Sequence, residues 1–254
     1  MSAMSARVPV VLLTAAALGL LSGCGSGDSD AAVQDRPLSA VVPAEGGSAG
    51  SAPAEAERLH RQLPGLGPKT LAQVPADTRQ AVVVTGEDRD SPKSAVVLYE
   101  RTADGWRAGK EWPAHNALKG WTDDHRLGDL RSPIGVFTLS DAGGRLPDPG
   151  TELPYDRSGA FTIDGTGFEG EPLAGSFDYV VAIDYNRAPG TSPLDWTRPL
   201  GAHKGGGIWI HVDHEGPTKG CVSLAKTHMK ELLRALDPDL NPVVVMGDTA
   251  SLRR

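Results

Sequence analysis

The stretch from Gly216 to Leu224 reads Gly-Pro-Thr-Lys-Gly-Cys-Val-Ser-Leu, and it decides how the rest of the chain is interpreted. A second stretch just upstream, Gly207 to Val212, reads Gly-Ile-Trp-Ile-His-Val and predicts a strand. Cys221 follows a glycine and lies ten residues after His211, an arrangement typical of a thiol nucleophile and its base. The thiolate is the reactive form, and a nearby imidazole or helix N-terminus can lower a cysteine pKa.

Gly220 is the residue expected to shape the backbone around Cys221. A glycine leaves room for a bound acyl group and gives its neighbour free backbone torsions. Backbone N–H groups at this point are therefore candidate donors to an oxyanion.

Alternation along the histidine strand predicts which side chains face the site. The aliphatic side chains of one face are Ile208, Ile210 and Val212. Trp209 and His211 share the other face, so His211 is the predicted base. His214 would point to the opposite face on a continuing strand, and it is an alternative base if the turn at Asp213 reorients the chain. His203, in a glycine-rich loop, is expected at the surface or in the substrate cleft.

The N-terminus has the pattern of a bacterial lipoprotein signal. Arg7 precedes a short apolar run from Val8 to Leu21, and Leu-Ser-Gly-Cys ending at Cys24 resembles a lipobox. We therefore predict a signal peptide at residues 1–23, lipidation of Cys24, and export to the outer face of the cytoplasmic membrane. The chain has two cysteines, so lipidated Cys24 leaves Cys221 without an internal disulfide partner.

Composition divides the rest of the chain. Residues 24–57 are rich in Gly, Ser, Ala and Pro and predict a flexible tether. Residues 58–79 are a lead-in segment, and residues 80–248 form the predicted catalytic domain. A short helix is expected at Ala54–Leu63, across the boundary between the tether and the lead-in. A net charge of −7 without a basic tract argues against a nucleic-acid partner.

Strand signals dominate residues 80–248, which predicts a mostly β domain, and turn residues between the first three strands predict an antiparallel meander. The predicted strands are Gln80–Gly86, Ser94–Glu100, Gly105–Trp112, Ile134–Leu139, Tyr179–Tyr185, Gly207–Val212 and Pro242–Met246. One helix after the cysteine is predicted from apolar residues at helical spacing, ended by Asp237-Pro238. Those apolar residues are Met229, Leu232, Leu233 and Leu236.

These motifs together resemble the YkuD-type L,D-transpeptidase catalytic domain. The resemblance rests on four segments in the family's order: Arg126–Phe137, Asp184–Asn186, Ile208–Val212 and Gly216–Leu224. It implies a β-sandwich with one helix after the catalytic cysteine, and no cofactor or metal. It also implies Cys221 as nucleophile and His211 as base, with Gly220 at the oxyanion and supporting roles for Thr218, Tyr185 and Asn186.

The resemblance implies a reaction in two halves. Cys221 attacks the carbonyl between an L-centre and a D-alanine in a peptidoglycan stem peptide, and an amine on a neighbouring stem then resolves the thioester into a cross-link. The widespread form of the family has Ser-His-Gly-Cys-x-Arg. Here Thr218, Lys219 and Ser223 stand at the Ser, His and Arg positions.

Three other interpretations are open at this stage. Water as acceptor would make the domain an L,D-carboxypeptidase. A weakened site would leave a tethered, non-catalytic wall-binding module. Zinc takes nitrogen and sulfur ligands, and the candidate ligands would be His203, His211, His214 and Cys221.

Overall fold

The computed structural model describes residues 59–254, and the mostly β prediction is confirmed. Within this range the strands are Leu59–His60 (β1), Gln80–Gly86 (β2), Lys93–Thr102 (β3), Gly105–His115 (β4), Trp121–Thr122 (β5), Ser132–Pro133 (β6), Gly135–Thr138 (β7), Ala142–Gly144 (β8), Tyr155–Arg157 (β9), Val180–Ala182 (β10), Trp209–Val212 (β11), Val222–Leu224 (β12) and Val243–Asp248 (β13). The predicted strand Tyr179–Tyr185 is shorter than expected, because the chain leaves the ladder before Asn186, whose φ of 47° is left-handed.

The helices of residues 59–254 are short. They are Pro68–Leu71 (α1), Lys226–Ala235 (α2) and Thr249–Leu252 (α3), with single 3-10 turns at Ala202–Lys204 and Pro238–Leu240. The predicted helix after the cysteine is confirmed as α2, whose side chains Met229, Leu232 and Leu233 are buried. None of the helices in this part of the chain is long and apolar enough to cross a membrane.

The prediction of a helix at Ala54–Leu63 is wrong for residues 59–63, the part that the structure describes. Leu59–His60 is a strand, paired antiparallel with Arg107 and Trp106 of β4. The pairing satisfies the backbone polar groups that a helix would otherwise have satisfied internally. Residues 54–58 of that prediction lie outside the described range, as do the signal segment 1–23 and the tether 24–57.

Eleven strands of residues 59–254 form one curled sheet in the order β7-β13-β2-β3-β4-β12-β11-β10-β8-β9, with β1 added beside β4. The predicted meander is present, since β2, β3 and β4 pair antiparallel in sequence order. Two of the parallel pairings in this sheet are β13 with β2, which are far apart in the sequence, and β11 with β12, which are consecutive strands. The second of these positions the site.

Alternation along β2 divides the core between the two faces of the sheet. Val82 and Val84 pack into the large cluster that contains the apolar side of α2, while Ala81 and Val83 pack into a second cluster on the other face. This is the two-residue period of a strand buried on both sides.

The lead-in segment is part of the packed domain. Leu63 is buried in the second cluster, and Leu66, Leu71 and Val74 pack against it. Its backbone is tied to the C-terminus, since the Gly67 N–H donates to the Leu252 carbonyl at 2.8 Å. Residues 59–79 and α3 therefore close one side of the sheet together.

Candidate active site

The parallel pairing of β11 and β12 brings the cysteine and the histidine together. Ile210 lies opposite Val222, and His211 lies opposite Ser223. Cys221 immediately precedes β12, so this register places it level with Trp209. The Trp209 N–H accordingly lies 3.4 Å from the Cys221 sulfur.

The faces of β11 follow the alternation predicted from the sequence. Ile208, Ile210 and Val212 belong to the large core cluster, whereas Trp209 packs with Cys221 in a separate small cluster. His211 lies against Phe177, with ring centroids 5.4 Å apart and nearly perpendicular planes. The aromatic and imidazole rings therefore face away from the main core.

One ring nitrogen of His211 is free to act as a base. Nδ1 lies 2.9 Å from the Val212 carbonyl oxygen and donates to it, which leaves the lone pair on Nε2. His211 is only 3% exposed, and this burial lowers its pKa to about 4. The imidazole is therefore neutral at pH 7.

The thiol of Cys221 is also neutral at rest. Burial raises its pKa to about 11, and the hydrogen bond from the Trp209 N–H only partly opposes that rise. The thiol itself donates weakly to the Gly207 carbonyl oxygen at 3.6 Å. Desolvation of the sulfur is therefore the largest influence on this pKa.

The peptide group after Cys221 is held from two sides. The Thr218 hydroxyl donates to the Cys221 carbonyl oxygen at 2.7 Å, and the Ser132 hydroxyl donates to the same oxygen at 3.3 Å. The N–H groups of Gly220 and Cys221 donate to no other group in residues 59–254. A Cβ at Gly220 would lie 3.0 Å from Ile208 Cδ1, a tighter contact than side chains usually make.

Cys221 and His211 line one cavity of about 450 Å³. Its walls are mostly apolar, with Phe168 and Phe177 prominent, and Lys219 stands at its edge. Residues 163–168 form one wall, so part of the turn-rich segment 147–170 borders the cavity. A largely apolar cavity with a few convergent polar groups is the usual form of a small-substrate site.

Comparisons with known proteins show the family of this domain. The profile of the L,D-transpeptidase catalytic domain, YkuD, matches residues 79–245. The chain belongs to this family. Among solved structures, Bd1075 from Bdellovibrio bacteriovorus matches with 15% identity and a TM-score of 0.36, covering 66% of this chain and 48% of that one. No functionally curated protein matches the chain.

Tyr185 and Asn186 lie outside the cavity and contact a neighbouring loop. The Asn186 amide donates to the carbonyl oxygens of Gly201 and Gly205 at 3.0 and 2.6 Å, and its oxygen accepts from the Leu200 N–H at 2.7 Å. The Tyr185 hydroxyl donates to the Lys204 carbonyl at 2.9 Å. Both side chains fix the glycine-rich loop that leads to Gly207, the acceptor of the thiol hydrogen.

The structure places His214 beside His211 rather than on the opposite face. β11 ends at Val212, and the two imidazoles stack at 5.8 Å with planes 15° apart. The turn residue Asp213 is held by the Ser223 hydroxyl at 2.6 Å and by His115 at 2.9 Å. Ser223, at the family's arginine position, therefore anchors the turn that reorients the chain.

His203 does not join the other two histidines. It lies exposed in the 3-10 turn Ala202–Lys204 and does not border the cavity, so the four candidate zinc ligands do not converge. Within residues 59–254 there is no group of three or more His, Cys, Asp or Glu side chains placed to hold a metal ion.

Several residues of the site gave no signal in the sequence. Glu171, whose carboxylate meets His214, lies in an irregular segment, and Phe177 lies in another. Ser132 is part of the Ser-Pro-Ile-Gly segment, which points to the family but not to the contact with Cys221. Glu171 and Phe177 lie in segments outside the helices and strands, whose paths follow no sequence period.

Proposed function

We propose that this domain is a cysteine-dependent L,D-transpeptidase that forms peptidoglycan cross-links through a thioester on Cys221, with His211 as the base. The observation that carries the proposal is the cavity shared by the two side chains on neighbouring parallel strands. Membership of a family that acts on peptidoglycan peptides supports it.

In the first half-reaction, His211 Nε2 takes the thiol proton as the sulfur attacks the carbonyl carbon of the donor stem. The C–S bond forms and the C–N bond to D-alanine breaks, and the imidazolium gives its proton to the leaving amine. Since thiol and imidazole are both neutral at pH 7, proton transfer accompanies attack instead of preceding it.

The negative oxygen of the tetrahedral intermediate needs donors that are already in place. The N–H groups of Cys221 and Gly220 fit this role, because they are uncommitted within residues 59–254. Thr218 and Ser132 fix the following peptide group through its carbonyl oxygen, so the backbone need not rearrange when charge develops.

The proposed activity is tested with a stem tetrapeptide ending in D-alanine and with a carbapenem, followed by mass spectrometry. We expect a carbapenem adduct that maps to the peptide containing Cys221, release of D-alanine, and a cross-linked product when an acceptor stem is added. D-alanine release without any cross-link would instead identify an L,D-carboxypeptidase. If neither a carbapenem adduct nor release of D-alanine is observed, only the wall-binding interpretation remains.

We also propose that the chain is exported and anchored to the outer face of the cytoplasmic membrane by lipid on Cys24, with residues 24–57 as the tether. The support is the pattern of residues 1–24, which has the order of a lipoprotein signal. Such an anchor would hold the domain close to its substrate, the cell wall.

Replacing Cys24 by alanine should release the protein from the membrane fraction, because the lipid supplies the hydrophobic attachment. The measurement is fractionation of cells that express wild-type or Cys24→Ala protein, with Cys221→Ala as a matched cysteine control that should stay in the membrane fraction. A processed Cys24→Ala protein that still sediments with membranes would contradict the anchor.

A further inference from the structure

The first half-reaction leaves without a role a polar pair, His214 and Glu171, of which His214 borders the cavity. His214 Nδ1 lies 3.1 Å from Glu171 Oε1, and the two side chains are only 6% and 9% exposed. His214 borders the same cavity as Cys221 and stacks on the ring of His211. With Nδ1 committed to the carboxylate, Nε2 is the ring nitrogen of His214 that remains to meet a ligand.

The backbone around Glu171 is shaped to admit its carboxylate. A Cβ at Gly167 would lie 1.8 Å from Oε1, and a Cβ at Gly216 would lie 2.3 Å from the same atom. The second carboxylate oxygen accepts from the Glu169 N–H at 2.8 Å. Glycine at these two positions leaves room for the carboxylate where it meets His214.

The proton balance of the second half-reaction requires a base in addition to His211. An alkyl amine with a pKa near that of lysine, about 10.4, is an ammonium ion at pH 7. It must lose two protons to become an amide nitrogen. One of them returns through His211 to the Cys221 sulfur, which leaves as a thiolate. The other needs a second base.

Resting on the proposed function, we propose that His214, held by Glu171, is the acceptor-side base that takes the first proton from the incoming ammonium group. Its Nε2 accepts that proton, and the freed amine attacks the thioester carbonyl. The C–N bond forms and the C–S bond breaks, while the second amine proton passes through His211 to sulfur. His214 then gives its proton to water.

The charged and titratable groups around the pair fit this assignment. The carboxylate of Glu171 stabilises the imidazolium that forms on His214. The other titratable groups near the ring, in its own turn and in the elements packed against it, are His211, Asp213, Glu215, Glu169, Lys219 and Cys221.

The test compares wild-type protein with His214→Gln and Glu171→Gln, using the stem tetrapeptide as donor and Nα-acetyl-lysine as acceptor at pH 7. We expect D-alanine release in the first turnover to stay within about threefold of wild type. Aminolysis by Nα-acetyl-lysine should fall by about tenfold to a hundredfold, in the lower part of the range for positioned acid–base groups.

Two readouts separate a base from a residue that only holds the cavity in shape. Hydroxylamine is largely unprotonated at pH 7, so the variants should resolve the thioester with it at nearly the wild-type rate. Raising the pH to about 10, where much of the lysine amine is already neutral, should remove most of the defect. The exposed neighbour Glu215→Gln is the matched control, and it should behave as wild type.

Equal losses with both amines, or a defect that persists at pH 10, would overturn the proposal and leave His214 a structural residue. Unchanged aminolysis by Nα-acetyl-lysine in both variants would overturn it as well. A wild-type protein that releases no D-alanine would refute the proposed function itself, which separates the two failures.

Discussion

Replacing Cys221 by alanine should abolish both the carbapenem adduct and the release of D-alanine, because it removes the thiol that shares the cavity with His211. The variant should still fold. The sulfur makes only two weak polar contacts, at 3.4 Å to the Trp209 nitrogen and 3.6 Å to the Gly207 oxygen. We expect a change of about 1 kcal/mol in the free energy of unfolding, as for a modest buried substitution.

The matched control is Cys221→Ser, which keeps a hydrogen-bonding group of similar size in the same place. A hydroxyl is far less ionised than a thiol, so this variant should be as inactive as Cys221→Ala while its melting temperature matches wild type more closely. Peptide mapping must place the wild-type adduct on Cys221 and not on Cys24. Cross-linking that survives in Cys221→Ala would contradict the assignment of the nucleophile.

Local patterns in the sequence predicted the parts of this site that lie on or next to one strand. The alternation of Gly207–Val212 placed His211 on the face away from the aliphatic residues, and the structure has it there. The meander and α2 were predicted for the same reason, since each element has a period that its own residues reveal.

The parallel pairing of β11 with β12 could not be predicted from the residues. β12 is only three residues long, Val222–Leu224, and the sequence patterns did not indicate it as a strand. Yet this register places Cys221 level with Trp209. The family resemblance supplied the conclusion that cysteine and histidine meet, and the pairing supplies its physical cause.

The ionisation of the site depends on burial, which no local pattern encodes. Glycine, proline and lysine around Cys221 are residues common in exposed turns, but packing beside Trp209 desolvates the sulfur and raises its pKa. The position of His214 was equally hidden, because the turn at Asp213 depends on contacts with Ser223 and His115 from other strands. Both features come from tertiary contacts.

Measuring stability at different pH values shows whether a His211 variant is folded under the conditions of the rate measurement. It also tests the lowered pKa of His211. Burial holds the folded pKa of His211 at about 4, below about 6.5 in the unfolded chain. Between pH 6.5 and pH 4 the unfolded state therefore binds more protons than the folded state. Across this range the free energy of unfolding of wild type falls by up to about 3 kcal/mol. His211→Gln should lack this loss, so chemical denaturation at pH 7 and pH 4 should show a smaller acid destabilisation in the variant.

His211→Gln should slow acylation at pH 7 by about 10²–10⁴-fold, the usual contribution of a positioned general base. Without the base, reaction depends on thiol that has already ionised. With a pKa of about 11, only about one thiol in 10⁴ is a thiolate at pH 7. The rate of adduct formation in the variant should therefore rise about tenfold for each pH unit between 7 and 10, and that of wild type should rise much less.

The comparison that decides the identity of the base is His214→Gln, since both histidines border the cavity and their rings stack. Nδ1 of His211 is bound to the Val212 carbonyl oxygen, whereas Nδ1 of His214 is bound to the Glu171 carboxylate, so each ring offers Nε2. The strand register nevertheless places His211 on β11, beside the residue level with Cys221. We expect His214→Gln to change the acylation rate by less than about tenfold. A large loss of acylation rate in His214→Gln with a small loss in His211→Gln would mean that His214 accepts the thiol proton. The Glu171–His214 pair would then be the base of the first half-reaction.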